Sequence, residues 1–233
     1  MPDTTARLGL PYIAAAQAQK HVTHNAAIRA LDALAQLALQ SVTETSPPGA
    51  PSDGQCWYVP AGALGIWSGR AGTIAAYEAG AWDFYPARPG FHAYVADQRR
   101  MRVFDGTAFV SPLAASVNRA AVEALVLEED VTLAGAATDA AISIPDRGIV
   151  LAVSTRTLLT VTGAASYDCG IPAERAKFGG SLGAVPGSVN VGVIGPTAFY
   201  APTPVRLSAN GAAFTGGRVR VAVHLILCPA AVA

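Results

Sequence analysis

The sequence predicts a mainly β protein with an N-terminal helix: a small β-hairpin domain followed by a C-terminal antiparallel β-sandwich of jelly-roll-like type. Three observations carry this expectation. Between residues 25 and 40, apolar residues recur every three or four positions, the spacing of one helical face. Between 52 and 112, short aromatic runs alternate with glycine turns. Near the C-terminus, Val219, Val221, Val223, Leu225 and Leu227 alternate with Arg218, Arg220 and His224, the period of a half-buried strand.

The first part, residues 1–45, opens with an extended lead, Leu8 to Ala16, interrupted by Pro11. Asn25 has the side chain of an N-cap, and the spacing predicts a helix from there to about Gln40. Ile28, Leu31, Leu34 or Ala35, and Ala38 form its apolar stripe, with Arg29, Asp32 and Gln36 off it. A stripe of about two heptads is too short to stand alone, so it must pack on its own domain or on copies of itself. Ile28, Leu31 and Leu34 are therefore the candidate oligomerisation residues, and a homotrimer is the expected assembly. Ser46-Pro47-Pro48-Gly49-Ala50-Pro51 then breaks any helix.

The second part, residues 52–112, contains two related cassettes. Gly54-Gln55-Cys56-Trp57-Tyr58-Val59 precedes Ile66-Trp67-Ser68-Gly69, and Gly90-Phe91-His92-Ala93-Tyr94-Val95 precedes Val103-Phe104-Asp105-Gly106. Ala76 to Trp82 supplies a further aromatic hairpin. Trp57, Trp67 and Trp82 all fall here. They read either as stacking platforms for sugar rings or as the core of a thin β domain, and the large area each aromatic buries favours the core.

Residues 113–130 carry partial helical spacing (Val117, Ala121, Leu125 and Val126) and predict a connecting helix closed by Glu128-Glu129-Asp130. That triplet lacks the spaced oxygen ligands of a calcium loop and reads as solvated surface. From 131 to 233, strand-like runs at 141–144, 149–154, 158–161, 188–194, 205–209 and 218–227 are separated by glycine-rich breaks. Such spacing is that of an antiparallel sandwich.

Composition excludes some roles. Charged residues make up 14% of the chain and the formal net charge is zero, so no electrostatic footprint for nucleic acid is present. No apolar run approaches a membrane span, and the first residues lack the basic start and apolar core of a signal peptide. Synthesis in the cytoplasm, with release by lysis, is the expectation. Low charge and 52% hydrophobic content suit a component whose surfaces are buried by assembly. The three cysteines, Cys56, Cys169 and Cys228, are odd in number and widely spaced, and read as small buried hydrophobes.

Candidate chemistry is sparse. His21 and His24 form His-x-x-His, but a zinc site needs a third ligand and a hydrolytic one a placed base, so no metal and no cofactor are expected. No Gly-x-Ser-x-Gly elbow and no P-loop occur. Asp139, Asp146, Asp168 and Glu174 are the carboxylates from which a glycosidase pair would have to come. The expectation is nevertheless a non-enzyme. The segment from Ser166 to Gly179 mixes aromatics with both signs of charge in an apolar domain, either as a solvated loop stapled by Phe178 or as a sugar-recognition loop. Tyr167, Asp168, Arg175 and Lys177 are its candidate carbohydrate contacts, with Asn190, Tyr200 and Arg206 secondary.

The run Leu8-Gly9-Leu10-Pro11-Tyr12-Ile13-Ala14-Ala15-Ala16-Gln17-Ala18-Gln19-Lys20-His21-Val22-Thr23-His24-Asn25, with Leu31-Asp32-Ala33-Leu34 and the aromatic-glycine segments after it, resembles a phage-derived family of unknown function. Some members are head-spike, or head-fibre, proteins of gene transfer agents. The resemblance covers roughly the first 110 residues. It implies a phage-like particle (virion) component that attaches to a capsid or other particle protein through its N-terminal part. Its C-terminal part would bind host capsular polysaccharide and promote adsorption, without catalysis. The alternatives are a tail-associated capsule depolymerase of the glycoside hydrolase type and a purely structural fibre or baseplate protein.

Overall fold

The computed structural model describes Thr4, Thr5, Leu10, Tyr12 and residues 20–231, apart from the side chains of Lys20, His21 and Thr23. The remaining residues of the N-terminal lead, and the structure of most of the Leu8–Asn25 pattern, lie outside the described residues. Among the described residues the chain is mainly β, with one α-helix near the N-terminus and two sheets. It divides into two compact units, Met1–Ser111 and Pro112–Ala233.

The first unit is built on helix α1 (Lys20–Leu34) and strands β1 (Ala38–Leu39), β2 (Cys56–Tyr58), β3 (Thr73–Glu78), β4 (Ala81–Pro86), β5 (His92–Val95), β6 (Arg100–Phe104) and β7 (Phe109–Val110). Asn25 lies within the helix rather than capping it, and the helix ends at Leu34 rather than near Gln40. Gln36 takes a left-handed conformation (φ 47°), which stops the helical ladder. The apolar residues beyond it change period: Leu37 and Leu39 are buried as alternate residues of an extended segment. The short β1 is the centre of the sheet, whose order is β4-β3-β2-β1-β5-β6-β7. Leu39 pairs in parallel with Cys56 on one side and Val95 on the other. The two sequence cassettes thus occupy equivalent places flanking β1, each followed by an antiparallel partner. They differ at their second motif, where Ile66-Trp67 forms a 3₁₀ turn and Val103-Phe104 lies in a strand.

Alternation along β2 covers both faces of this sheet. Cys56 and Tyr58 join Ala33, Leu37, Leu39, Phe104 and Phe109 in one core under the helix. Trp57 and Val59 point the other way, into a second cluster with Trp67 and Ala75. Trp57, Trp67 and Trp82 pack on one another with ring centroids 5.3 to 6.1 Å apart. Trp67 is fully buried, and the Trp57 indole N–H donates to Glu44 at 3.0 Å. The tryptophans serve as core.

The second unit contains β8 (Pro112–Ala115), β9 (Ala121–Thr132), β10 (Ala137–Ile144), β11 (Ile149–Ile171), β12 (Glu174–Leu182), β13 (Val189–Ala198) and β14 (Thr203–Leu227). The connecting helix expected over 113–130 is absent; those residues form β8 and most of β9. Leu125, Leu127 and Val131 turn inward while Val126, Glu128 and Asp130 turn outward, a period of two that the spacing from Ala121 to Leu125 obscured. Strands β11 and β14, 23 and 25 residues long, pair with each other along nearly their whole length. Their first-and-last halves combine with β13 and β9 in one layer, and their other halves with β12 and β10 in a second. Inward residues of both layers, among them Val153, Tyr167, Cys169, Leu207, Val221 and Val223, share one buried cluster. Orders β13-β11-β14-β9 and β12-β11-β14-β10 are those of a jelly roll.

The passage from one layer to the other depends on register shifts between Thr157 and Ser166 and on glycine. At Gly163 φ is +87°, and a Cβ there would collide with the carbonyl of Ala213. Gly163→Ala is therefore expected to destabilise the second unit by about 2 kcal/mol, measured by denaturant unfolding. The pairing of β9 with β14, from Thr132–Arg218 to Glu123–Leu227, sets the boundary. A fragment starting at Pro112 is expected to unfold cooperatively. A fragment starting at Val131 lacks that strand and is expected to lose the transition in a calorimetric scan.

Candidate functional site

The segment Ser166–Gly179 is a strand hairpin rather than a connection. Ile171 pairs with Glu174 across a turn of Pro172 and Ala173, so Tyr167 to Ile171 belong to β11 and Glu174 onward to β12. Strand alternation then sends neighbouring side chains to opposite faces. Tyr167 points into the core, 1% exposed. Its hydroxyl lies 3.2 Å from the Thr157 hydroxyl and donates to that of Thr155 at 3.4 Å. It offers no ring face to a ligand at the surface. Cys169 faces the same interior, where burial pushes its thiol up to about 12.

Asp168 points outward but is buried beneath its partners. Its carboxylate accepts hydrogen bonds from Arg175 Nε at 2.6 Å, Asn210 Nδ2 at 2.7 Å and the Ser181 backbone N–H at 2.8 Å. Arg175 also donates to the Ala209 carbonyl and, at 2.6 Å, to Asn210 Oδ1. Asn210 donates further to Ser166 at 3.1 Å. Burial alone would raise the Asp168 pKa. The donations from Asn210, Ser181 and Arg175 outweigh it and hold the carboxyl below the usual carboxylate range. Asp168 therefore positions Arg175, whose side chain remains half exposed. Lys177 is paired with Glu174 at 2.8 Å. On the neighbouring strands, Arg206 grips Asp139 with two bonds of 2.6 and 2.7 Å, and that pairing lowers the Asp139 pKa.

Of the four proposed sugar contacts, Arg175 and Lys177 thus stand on the outer side of β12, Asp168 lies beneath them and Tyr167 lies in the core. Asn210 is the residue that the sequence reading missed, because Asn-Gly there signals a turn while the side chain closes the network. Asn190 points inward and donates to the Phe178 carbonyl at 2.9 Å; Tyr200 is 83% exposed. Asp146 sits beside Arg147 at the surface, at 3.8 Å. Of the helix residues proposed for oligomerisation, Leu34 packs against the core of its own sheet, Ile28 is partly buried and Leu31 is 52% exposed. The stripe is largely used within its own unit. The helix is tied to the lead by Thr5, which donates to Asp32 at 2.8 Å, and through Tyr12, which accepts from Arg29 at 3.4 Å and donates to Glu78 of the sheet at 2.5 Å. His24 is exposed, and the side chain of its partner His21 lies outside the described residues. Among the described residues no three His, Cys, Asp or Glu side chains gather as a metal-binding group, and no helix is long and apolar enough to cross a membrane.

The fold defines a two-unit β protein whose second unit is a jelly roll carrying a hydrogen-bonded polar cluster. Residues 24–110, within the first unit, match a family described as a protein of unknown function, DUF2793. No curated protein matches the chain. Among solved structures, a chain of the cyanophage Pam1 capsid asymmetric unit is similar at 22% identity and a TM-score of 0.37, covering 50% of this chain and 94% of that one.

The polar cluster sets a pH dependence. A carboxyl whose folded pKa is depressed contributes stability above its unfolded value, about 4, and that contribution fades as pH falls through the folded value. Asp168→Ala is expected to cost about 2 kcal/mol at pH 7, since it strands the Ser181 N–H and the Asn210 amide. The gap to the unmodified protein is expected to narrow in urea titrations repeated at pH 3.

Proposed function

We propose that the chain is a non-catalytic component of a phage-like particle, a head spike or fibre. Its first unit attaches to a particle protein, and its jelly roll binds host surface polysaccharide. The observation that carries the non-catalytic reading is the condition of the carboxylates. Glycoside hydrolysis needs one carboxyl kept protonated as an acid and another facing it across the sugar. Asp139 and Asp168 are instead held as anions by Arg206 and by the Asn210–Ser181–Arg175 donors, and Glu174 is engaged by Lys177. The attachment role rests on the resemblance of the first 110 residues to phage-derived proteins, the region that contains the family match.

For the polysaccharide, the reading uses the outer side of β12. Arg175, fixed by Asp168, and Lys177 beside it place two cations in defined positions for the hydroxyl and acidic groups of a capsule. A single exposed sugar contact exchanges water for protein with little net gain. Several copies on one particle supply the affinity through effective concentration, which is where a homotrimer serves the function.

Particles carrying Arg175→Ala with Lys177→Ala are expected to adsorb to encapsulated cells several-fold less than unmodified particles, with unchanged incorporation of the protein. Adsorption equal to that of unmodified particles, or equal adsorption to capsule-free cells, would remove this surface or this receptor. Reducing ends released from purified capsule would favour the depolymerase.

A further inference from the structure

Strand β13 is inverted. In Val189-Asn190-Val191-Gly192-Val193-Ile194, the residues turned toward the interior are Asn190, Gly192 and Ile194. The three valines face outward and are 61%, 60% and 75% exposed. The inward positions have local causes: Asn190 bonds the Phe178 carbonyl, and Gly192 lies where a Cβ would strike that same carbonyl. Nothing inside the unit requires β-branched residues on the outer side, where polar residues would serve the same strand at less cost in exposed apolar surface.

These valines are one column of a continuous face. Strand pairing aligns Val189 with Arg156, Arg220 and Asp130; Val191 with Ser154, Ala222 and Glu128; and Val193 with Ala152, His224 and Val126. Val126, on β9 beyond the Ala121–Glu123 stretch that pairs with β8, is 54% exposed, and from there to Asp130 β9 forms the opposite edge. The face is therefore graded along the strands, apolar in the Val193–Val126 row and charged in the Arg156–Asp130 row. It is also graded across them, cationic and valine-rich at β13–β11 and acidic at β9. Arg220 is held by Asp130 at 2.6 Å, with Glu128 at 3.8 Å. Arg156 has no carboxylate partner among the described residues. A shallow groove between the Val189–Val191 side and the Glu128–Arg220 side runs over Ser154 and Ala222.

We propose that this face is where copies of the chain meet, as a homotrimer about an axis parallel to the strands, with the β13 edge of each copy against the β9 edge of the next. Rotation about such an axis keeps every residue at its own height. Val193 of one copy then meets Val126 of the next, and Arg156 meets the Glu128 and Asp130 carboxylates. Both the apolar and the charged rows are complementary without any shift. A two-fold about the same axis stacks the middle columns face to face and sets Arg220 against Arg156 of the partner, like charge on like. A three-fold is the smallest ring that keeps the edges in contact and opens the middle. Each copy gives one edge and receives the other, a head-to-tail contact that closes into a ring. The occupant is a second and third copy because the complement to each edge is the opposite edge of this same face. The inference shares with the proposed function only the premise that copies assemble, and its test uses neither particles nor polysaccharide.

The experiment is light scattering coupled to size exclusion on the full chain at tens of micromolar. A trimer mass is expected. Val191→Asp with Val193→Asp is expected to give a monomer with an unchanged far-ultraviolet spectrum, because both side chains are exposed. Arg156→Glu and Glu128→Arg are each expected to raise the dissociation constant at least ten-fold, and the two together on one chain to restore most of the loss. The restoration also covers the case in which the valine variant fails to fold. A monomer or dimer for the unmodified chain would overturn the proposal. So would a trimer indifferent to the valine and charge changes, or charge variants whose combination brings no recovery.

Discussion

The pairing of β11 with β14 is the constraint on which the rest of the second unit depends. Each strand runs through both layers, so one ladder of backbone hydrogen bonds fixes how the layers lie on each other. Every other strand of the jelly roll is added to an edge of this pair: β13 and β9 in one layer, β12 and β10 in the other. The inward residues of the pair, Val153 and Tyr167 from β11 and Leu207, Val221 and Val223 from β14, form the middle of the core. Each fully buried apolar side chain of this size contributes about 1.5 to 3 kcal/mol. The same ladder places the outward residues in rows and brings Asp168 beside Ser208 and Ser166 beside Asn210. The polar cluster and the valine face lie on the outer sides of the two layers that this pair joins.

In the first unit a much smaller element has the equivalent role. The two residues of β1 receive a cassette on each side, and the helix before them covers one face of the resulting sheet. Three tryptophans fill the other face. A sheet buried on both faces by so few residues requires large side chains, which accounts for the concentration of aromatics between Trp57 and Phe109. The family match begins inside the helix and ends at β7, so it coincides with this sheet.

Much of this was legible in the sequence, and the reasons for the failures are specific. The fold class followed from periodicity: Val219 to Leu227 alternate cleanly and form the second half of β14. The expected helix at 113–130 failed because Ala121 and Leu125 match a helical interval by coincidence, while Glu129 takes an inward strand position and breaks the alternation to the eye. Its carboxylate accepts the backbone N–H of Ile142, a partner distant in sequence. Four sugar contacts between Ser166 and Gly179 presuppose a loop, in which neighbouring residues share a surface. In a hairpin they do not, and Tyr167 and Asp168 part to opposite sides. The valine face was invisible for the opposite reason. Alternating valines signal a core, and only the strand partners show that these face outward.

Hydrogen exchange of the full chain, followed amide by amide, tests the claim that β11 and β14 hold the jelly roll as one body. The account predicts that paired amides in both halves of the two strands, around Val153–Val223 and around Cys169–Leu207, are the slowest in the second unit and exchange with a common opening free energy. Two distinct opening free energies, one for each layer, would contradict it.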